Sequence, residues 1–299
     1  MKLTVLGSGD SAGVPQVGCD CPTCRRYGEE GMERTRFSVL LENDGKKILV
    51  DASPDLRTQM LREGIEDLDA VIFTHAHYDH YGGFGSLYRV IWHELPVFGT
   101  PEVLENVVEE RYSYLPFPKT RGVKPYEPFE FAGLEFEFVT VSHPPIDSYG
   151  VVVRDGGDVG AGDVGAGDVG AGDVGAEDVG AGNDCSAGDD DTTTVDGGTK
   201  VVISGDTALD IPEKSTERMR NPDLLVADAF IPAEGEFPEF VENRISDEGT
   251  DFADKHMTYK GACNLVEDLD ADRSVFVHLS HYYRDEREFL GWDGWSWES

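Results

Sequence analysis

Three histidines and an aspartate lie within six positions of the stretch THAHYDHYGG, residues 74–83. The ligand-type residues are His75, His77, Asp79 and His80, in the pattern H-x-H-x-D-H. Burying four such side chains without partners would be costly, and a bound divalent cation offsets that cost. The apolar run DAVIF precedes the motif and two glycines follow it, which is typical of a buried strand that ends in a turn. The motif therefore predicts metal binding and can supply ligands to two ions.

Two cations need further ligands, and three candidates lie where later predicted strands end. His143 closes the run FVTVSH, Asp206 follows VVISG, and His278 lies in SVFVHLSH. Imidazole and carboxylate ligands suit zinc and also accept manganese, so the sequence leaves the metal open.

A second cluster of ligand-type residues lies near the N-terminus, in the stretch GCDCPTC. Cys19, Cys21 and Cys24 form C-x-C-x-x-C, a spacing that is poor for a set of disulfides and good for a metal. Three thiolates favour a structural zinc, which takes four ligands, and the alternative is three reduced thiols near the surface. Cys185 and Cys263 are solitary, and we assign them no role.

Strand and helix signals alternate along the chain. KLTVLGSG, DAVIFTH, KVVISGDT, DLLVADAF and RSVFVHLSH are typical of strands, and hairpins are predicted around Asn43-Asp44-Gly45 and within FEFAGLEFEFVTVSH. PDLRTQMLREGI, PEVLENVVEERYSYL and MTYKGACNLVEDL are typical of helices. Because polar residues recur at strand ends, the pattern favours a layered α/β fold with the ligand candidates along one sheet edge.

One segment breaks this alternation, at about residues 155–198. It repeats GDVGA with a period of five, which fits neither a helix face nor a strand face. It separates YGVVVRD from TKVVISGDT, which we interpret as two strands of one hairpin with an expanded turn. We therefore expect a single domain over residues 1–299 that carries a flexible acidic loop.

The formal net charge is −34, from 25 basic and 59 acidic residues. Residues 155–198 hold 12 of the acidic residues and no basic ones, so the acidity extends over the rest of the chain. A composition adapted to high salt, as in halophiles, is the simplest interpretation. Such a field repels nucleic acid and anionic membranes unless a local basic patch overrides it.

The apolar run lengths, the N-terminal sequence and the charge give weaker indications of location and partners. No run of about 18 apolar residues is present, and the N-terminus MKLTVLGSGD lacks a signal-peptide pattern, so we expect a cytoplasmic protein. We expect no membrane association, and no nucleic acid unless a basic patch is present. A homodimer is left open.

The ordered motifs H-x-H-x-D-H, His, Asp and His resemble those of the metallo-β-lactamase-fold hydrolases, over nearly the whole chain. The resemblance implies a four-layer αββα fold with two divalent metal ions, zinc or manganese. It places His75, His77 and His143 on one metal and Asp79, His80 and His278 on the other, with Asp206 as the bridge. Asp51, which ends ILVD, matches the family's aspartate that orients a ligand histidine.

The cysteine cluster beside G-V-P resembles the branch of PhnP-type phosphoribosyl 1,2-cyclic phosphate phosphodiesterases. That resemblance implies one structural zinc held by Cys19, Cys21, Cys24 and His281, the second histidine of HLSH. It also matches His256, in DKHMTYKGA, to a histidine that serves as a proton donor.

The resemblance implies a dinuclear phosphodiesterase acting on a small cyclic sugar phosphate. A hydroxide bridging the two metals would attack phosphorus, Asp79 would orient it, and His256 would protonate the leaving oxygen. Three alternatives stay open. They are a tRNA 3′-processing endonuclease of the same fold, a protein resembling the pyrroloquinoline quinone biosynthesis member, and a non-enzymatic scaffold stabilised by metals.

Overall fold

The computed structural model describes residues 1–155, 198–230, 232, 254–283 and 290–299. Nearly all of the predicted acidic insertion lies outside these residues, as does Cys185. Within the described ranges, no helix is both long and apolar enough to cross a membrane. The expectation that residues 1–299 form one domain stays a prediction.

The described strands form two sheets. Their bounds are β1 Lys2–Gly7, β2 Ser38–Asn43, β3 Lys46–Val50, β4 Ala70–Ile72, β5 Leu95–Gly99, β6 Pro118–Gly122, β7 Phe129–Phe131, β8 Leu134–Val141, β9 Ser148–Asp155, β10 Lys200–Ile203, β11 Leu224–Asp228, β12 Ser274–Val277 and β13 Ser296–Glu298. The first sheet has the order β13-β1-β2-β3-β4-β5-β6, and the second has the order β12-β11-β10-β9-β8-β7.

The described helices connect these strands. They are α1 Pro22–Glu30, α2 Leu56–Glu63, α3 Tyr78–Tyr81, α4 Pro101–Leu104, α5 Glu213–Met219 and α6 Tyr259–Leu269, with a 3-10 helix at Phe84–Arg89. A π-helical turn, Glu105–Glu109, extends α4. The helix predicted over residues 101–115 therefore ends earlier than expected.

Alternating apolar residues hold the two sheets together. On β9, Val151 and Val153 lie in the core shared by both sheets, whereas Val152 lies in a second core on the opposite face. That second core contains Leu265 and Leu269 of α6, so this helix covers the second sheet. On the other side of the molecule, α2 contacts β1 of the first sheet. Sheets inside and helices outside confirm the predicted αββα arrangement.

All three predicted hairpins are confirmed. Within FEFAGLEFEFVTVSH, β7 pairs antiparallel with β8, with Phe131 opposite Leu134. Asp44 and Gly45 have φ values of 48° and 74°, which are the two positive values that a type I′ turn requires. β9 pairs antiparallel with β10, with Arg154 opposite Lys200, so the acidic insertion does separate two neighbouring strands.

Ligand candidates gather because several strands run parallel. β3 pairs parallel with β4, and β11 pairs parallel with both β10 and β12. Parallel neighbours bring their carboxyl ends to the same edge of a sheet. The residues that follow or end these strands are Asp51, His75, Asp206, Asp228 and His278.

Candidate metal centre

The seven predicted active-site ligands form one buried cluster, which we call the His/Asp cluster: His75, His77, Asp79, His80, His143, Asp206 and His278. His77 is the residue that precedes the short helix α3, and Asp79 and His80 lie within it. The side chains of Asp79 and His80 therefore point in a different direction from that of His75, which lies before the helix. The cluster lies where the carboxyl ends of the strands of both sheets meet. The structure therefore brings together every residue that the sequence singled out for a dinuclear site.

The first half of this cluster contains His75, His77, His143 and Asp206, whose ligand atoms all lie within 4.8 Å of one another. His77 Nδ1 and His143 Nε2 are 3.1 Å apart, and His75 Nε2 is 3.6 Å from Asp206 Oδ2. Three imidazoles and a carboxylate converging on one point match a tetrahedral zinc site in number and type of donor.

The second half contains Asp79, His80, Asp206 and His278, again with ligand atoms within 4.8 Å of one another. Asp206 Oδ2 lies 3.1 Å from His80 Nε2 and 3.3 Å from His278 Nε2. Asp79 Oδ2 lies 3.4 Å from the same two nitrogens. Asp206 is thus shared by both halves, which is the position that a bridging ligand needs.

Unsatisfied polar atoms test whether a cation fits this cluster. Among the described residues, Nε2 of His75 and Nε2 of His80 are fully buried and make no hydrogen bond of good geometry, although Asp206 Oδ2 lies 3.6 Å and 3.1 Å from them. Buried polar groups normally have a partner, because an unmade hydrogen bond is costly. A cation at each half would satisfy both nitrogens, so the donor set fits two divalent ions.

The histidines of the cluster form two groups, one with a lowered pKa and one with a raised pKa. Burial lowers the pKa of His75 well below its usual value and that of His77 to about 4, so both are neutral near pH 7. Burial also opposes charge on His80 and His278, but the carboxylates around them, Asp206 foremost, outweigh it. The pKa of His80 rises well above its usual value and that of His278 rises to about 9.

The carboxylates respond in the opposite direction. Burial acts to raise the pKa of Asp206, but the charges of His278 and His80 outweigh burial and hold the pKa well below its usual value. The same balance of burial against His80 and His278 lowers the pKa of Asp79. Both carboxylates are therefore ionised at neutral pH, as ligands of a cation must be.

Asp51 lies directly behind the second half of the cluster and is fully buried. His80 Nδ1 donates to Asp51 Oδ2 at 2.7 Å, which points His80 Nε2 toward Asp206. Thr74 donates to the same carboxylate twice, from its backbone nitrogen at 2.9 Å and from Oγ1 at 2.7 Å. This is the geometry expected of a carboxylate that fixes the orientation of a ligand histidine.

His256 borders the cluster, and its partner was not found from the sequence. His256 Nδ1 donates to Asp228 Oδ2 at 2.8 Å, and its ring stacks on His278 with centroids 4.8 Å apart. Asp228 also accepts the backbone N–H groups of Thr207 and Phe230, each at 3.0 Å. The signal for Asp228 was an aspartate that ends the apolar strand DLLVAD, like Asp51 in ILVD.

The cysteine cluster is a separate site at the other end of the HLSH motif. His281 Nδ1 lies 3.3 Å from Cys19 Sγ, 3.5 Å from Cys21 Sγ and 3.6 Å from Cys24 Sγ. Cys21 caps α1, where its sulfur accepts the backbone N–H of Cys24. The three sulfurs and one nitrogen form a candidate site of four donors, as the sequence predicted.

Comparisons with known proteins agree with this architecture. A family model described as "Beta-lactamase superfamily domain" matches residues 46–180. The chain is 41% identical over 166 residues to an octanoyltransferase of Porphyromonas gingivalis, a match that covers 52% of this chain and 33% of that protein. It is 32% identical over 124 residues to coenzyme PQQ synthesis protein B of Methylobacterium radiotolerans, covering 37% of this chain and 41% of that protein. These matches span less than half the length of either relative.

Solved structures match over the full length. A diphosphatase from the PhnP family superposes with a TM-score of 0.71 at 25% identity, covering 100% of this chain and 97% of that one. Zinc-bound PqqB from Methylobacterium extorquens superposes with a TM-score of 0.70 at 20% identity, covering 100% of both chains. The short form of human tRNase Z superposes with a TM-score of 0.62 at 18% identity, covering 100% and 99%. The chain therefore has the metallo-β-lactamase fold and resembles the PhnP family.

Proposed function

We propose that this protein is a dinuclear metal-dependent hydrolase, and that its substrate is a small cyclic sugar phosphate that it cleaves as a phosphodiesterase. The observation that carries the proposal is the position of Asp206, whose Oδ2 lies between the imidazoles of the two halves of the His/Asp cluster. A full-length match to a diphosphatase from the PhnP family supports phosphate chemistry.

Each half of the cluster would hold one divalent cation. His75, His77 and His143 would bind the first, while Asp79, His80 and His278 would bind the second, with Asp206 common to both. Two such cations lower the pKa of water between them toward neutrality and withdraw charge from a phosphoryl group. Zinc and manganese both suit this donor set.

The chain's own residues would control the protons. Because Asp228 accepts a hydrogen bond from His256 Nδ1, the proton that His256 can donate to a departing oxygen is the one on Nε2. The Phe230 ring, 4.9 Å from the His256 ring, limits the access of water to it. Asp79, at the edge of the cluster, would orient the attacking water.

The cysteine cluster would hold a structural zinc. Cys19 and Cys21 lie in the loop before α1, Cys24 lies in the first turn of α1, and His281 is at least 257 residues further along the chain, so a zinc there would tie the two segments together. Closed sites of three thiolates and one imidazole are typical of structural zinc.

Turnover and metal content of the intact protein test the proposal. We would measure bound metals and the hydrolysis of bis-p-nitrophenyl phosphate and 5-phosphoribosyl 1,2-cyclic phosphate at high salt. His256→Ala is the test variant. His93→Ala is the matched control, because His93 is an exposed histidine that also pairs with an aspartate, Asp67, at 3.1 Å.

We expect two active-site metals per chain and turnover of the cyclic sugar phosphate that falls in His256→Ala and persists in His93→Ala. Hydrolysis of the synthetic diester alone would retain the hydrolase and reject the substrate. Absence of turnover on both substrates with two metals bound would reject the phosphodiesterase proposal.

A further inference from the structure

We propose that a surface beside the metal centre binds single-stranded nucleic acid, a ligand class beyond the small cyclic substrate proposed above. The surface combines exposed aromatic rings with arginine and lysine side chains. Its aromatic members, which we call the aromatic track, are the exposed Tyr78, Tyr88, Trp92 and Tyr114, together with half-buried Tyr112 and buried Tyr81, which join them. The binding that we infer does not require hydrolysis.

The track begins inside the metal motif. Tyr78 lies between His77 and Asp79 in the chain, and 61% of its surface is exposed. Its ring packs edge-on against Tyr81, with centroids 5.9 Å apart. The series continues from Tyr81 to Tyr112 and from Tyr112 to Tyr114, each at 6.2 Å. Tyr81 is buried and Tyr112 is half-buried, so these two rings connect the exposed rings of Tyr114 and Tyr78 from beneath. A ligand that stacks on the two exposed rings would reach the edge of the His/Asp cluster.

The 3-10 helix Phe84–Arg89 extends the track. Gly85 touches Tyr112 and Tyr114 so closely that an added Cβ would lie 3.0 Å from one ring and 3.1 Å from the hydroxyl of the other. Side chains three residues apart eclipse in a 3-10 helix, so Tyr88 lies on the same side as Gly85. The absence of a side chain at Gly85 thus lets Tyr114 approach the segment that carries Tyr88.

The track ends in a surface groove of about 300 Å³. Trp92, which is 79% exposed, lines this groove together with Tyr88, Arg89 and Phe117, and Glu94 is also part of its wall. Apart from Trp292, the exposed aromatic side chains among the described residues all belong to the track: Tyr78, Tyr88, Trp92 and Tyr114. Such clustering of large exposed rings marks an interaction surface.

Positive charge accompanies the rings. The Arg111 guanidinium lies 5.2 Å from the Tyr81 ring, and that of Arg89 lies 5.0 Å from the Tyr88 ring. Residues 111–126, RYSYLPFPKTRGVKPY, contain four basic residues and no acidic one, in a chain whose net charge is −34. Arg111 pairs with Glu110 at 3.7 Å, and Lys124 pairs with Glu127 at 3.4 Å. The positive charge that this stretch leaves without an ion pair among the described residues is therefore that of Lys119 and Arg121. Such charge beside exposed rings can attract a polyanion locally in an acidic chain.

Two of these basic residues are on β6, an edge strand of the first sheet. Lys119 and Arg121 are exposed and form no ion pair with any residue that the structure describes. Charged residues, lysine above all, protect edge strands from pairing with other chains. Two exposed basic residues on one short strand still stand out in a chain with 59 acidic residues.

The combination of exposed aromatic rings and basic side chains indicates which class of ligand this surface binds. Proteins that bind single strands stack successive bases on aromatic side chains and follow the backbone with basic ones, without reading the sequence. An acidic protein partner would form ion pairs with the arginines and lysines, but it would not supply planar rings that stack on Trp92 and Tyr114. Single-stranded RNA or DNA uses both features, and its phosphodiesters are the bonds that the His/Asp cluster would cleave if the proposed function holds.

Fluorescence anisotropy of a labelled decauridylate, with the metal-loaded protein, tests this inference over a series of salt concentrations. The test variant is Trp92→Ala/Tyr114→Ala. Trp292→Ala is the matched control, because Trp292 is 59% exposed and lies outside the track. Thermal unfolding of each variant verifies folding, and a denaturing gel verifies that the probe stays intact.

We expect binding that weakens as salt rises, at least tenfold weaker binding in Trp92→Ala/Tyr114→Ala, and unchanged binding in Trp292→Ala. Arg89→Gln/Arg111→Gln should reduce the slope of affinity against salt. No binding at low salt, or equal losses in the test and control variants, would overturn the inference. If the probe binds while neither bis-p-nitrophenyl phosphate nor 5-phosphoribosyl 1,2-cyclic phosphate is hydrolysed, the track stands and the proposed hydrolase fails.

Discussion

The His/Asp cluster and the cysteine cluster differ in what holds their donors in place. In the His/Asp cluster, two histidines are held by hydrogen bonds from the ring nitrogen that faces away from the other ligands. His80 Nδ1 donates to Asp51, and His143 Nδ1 donates to the carbonyl oxygen of Lys255 at 2.8 Å. In the cysteine cluster the sulfurs lie chiefly against His281 and backbone N–H groups of their own loop, those of Gln16 and Cys24.

Because of this difference, a metal would serve chemistry in the His/Asp cluster and stability in the cysteine cluster. The His/Asp cluster is built by strand ends that the cores of the fold position, so a cation there can serve chemistry without being needed for folding. The cysteine loop and His281 are 257 residues apart or more in the chain, so a cation there would act as a cross-link. The two sites are joined by one short segment, since His278 and His281 are three residues apart.

Replacing the shared carboxylate should give the largest effect on activity. In Asp206→Asn we expect turnover of a phosphodiester to fall by about 10³-fold or more, because both halves of the cluster lose charge that holds their cations. Kinetics and metal analysis of the purified variant measure this. A variant that keeps both metals and full activity would show that Asp206 is not a shared ligand.

Separating His256 from its partner should give the next largest effect. We expect His256→Ala and Asp228→Asn each to lower kcat by about 10²-fold, the range for the loss of a general acid. The double variant should lose little more than either single one, because both changes disable one proton donor. Asp67→Asn, which removes the partner of exposed His93, is the control; additive losses at His256 and Asp228 would contradict the pairing.

Removing the carboxylate behind His80 should have an intermediate effect. In Asp51→Asn we expect metal affinity to fall by about 10- to 100-fold, the usual cost of losing a partner that orients a ligand. Competition with a chromophoric chelator measures the affinity of the active-site metals. An affinity equal to that of the parent protein would mean that Thr74 and the fold alone orient His80.

Breaking the cysteine cluster should affect stability more than chemistry. In Cys21→Ser we expect the free energy of unfolding to fall by on the order of 4 kcal/mol, as for loss of a structural metal, and turnover at 25 °C to change less than tenfold. Denaturant unfolding and kinetics on the same preparation compare the two effects. A large loss of turnover with unchanged stability would reverse the roles assigned to the two sites.

The smallest expected effect is a dependence of zinc affinity on pH at the cysteine cluster. Burial raises the pKa of Cys24 to about 12, so this thiol is protonated at neutral pH and must release its proton to bind a metal. The affinity of this site for zinc should therefore rise between pH 6 and pH 8, by about tenfold per pH unit for each proton released. Zinc titrations of the apo-protein at several pH values measure this, and an affinity that does not change with pH would contradict it.

The sequence by itself determined the donor sets, because each motif is local. H-x-H-x-D-H and C-x-C-x-x-C bring their residues together within one turn of the chain, whatever the rest of the fold does. The hairpin at Asp44 and Gly45 was equally predictable, since two neighbouring residues with positive φ determine the turn. The ends of predicted strands offered His143, Asp206 and His278 as candidates, and resemblance to a known family then supplied His281 and the assignment of each ligand to a metal.

Only the tertiary structure showed Asp228 as the partner of His256. β11 pairs parallel with β12 so that Asp228 lies opposite Val277, which places its carboxylate next to His278 and below His256. β5, β6, β13 and α1 also carried no clear local pattern, because their pairing and packing partners lie elsewhere in the chain.

The aromatic track was also decided by the fold. Tyr78, Tyr88, Trp92 and Tyr114 are scattered over a motif, a 3-10 helix and a loop, and nothing in their spacing predicts a shared surface. The close approach of Tyr114 to Gly85 brings them together. Local spacing can specify which atoms are able to bind a metal, whereas the joining of distant segments into one surface depends on how the sheets and helices pack.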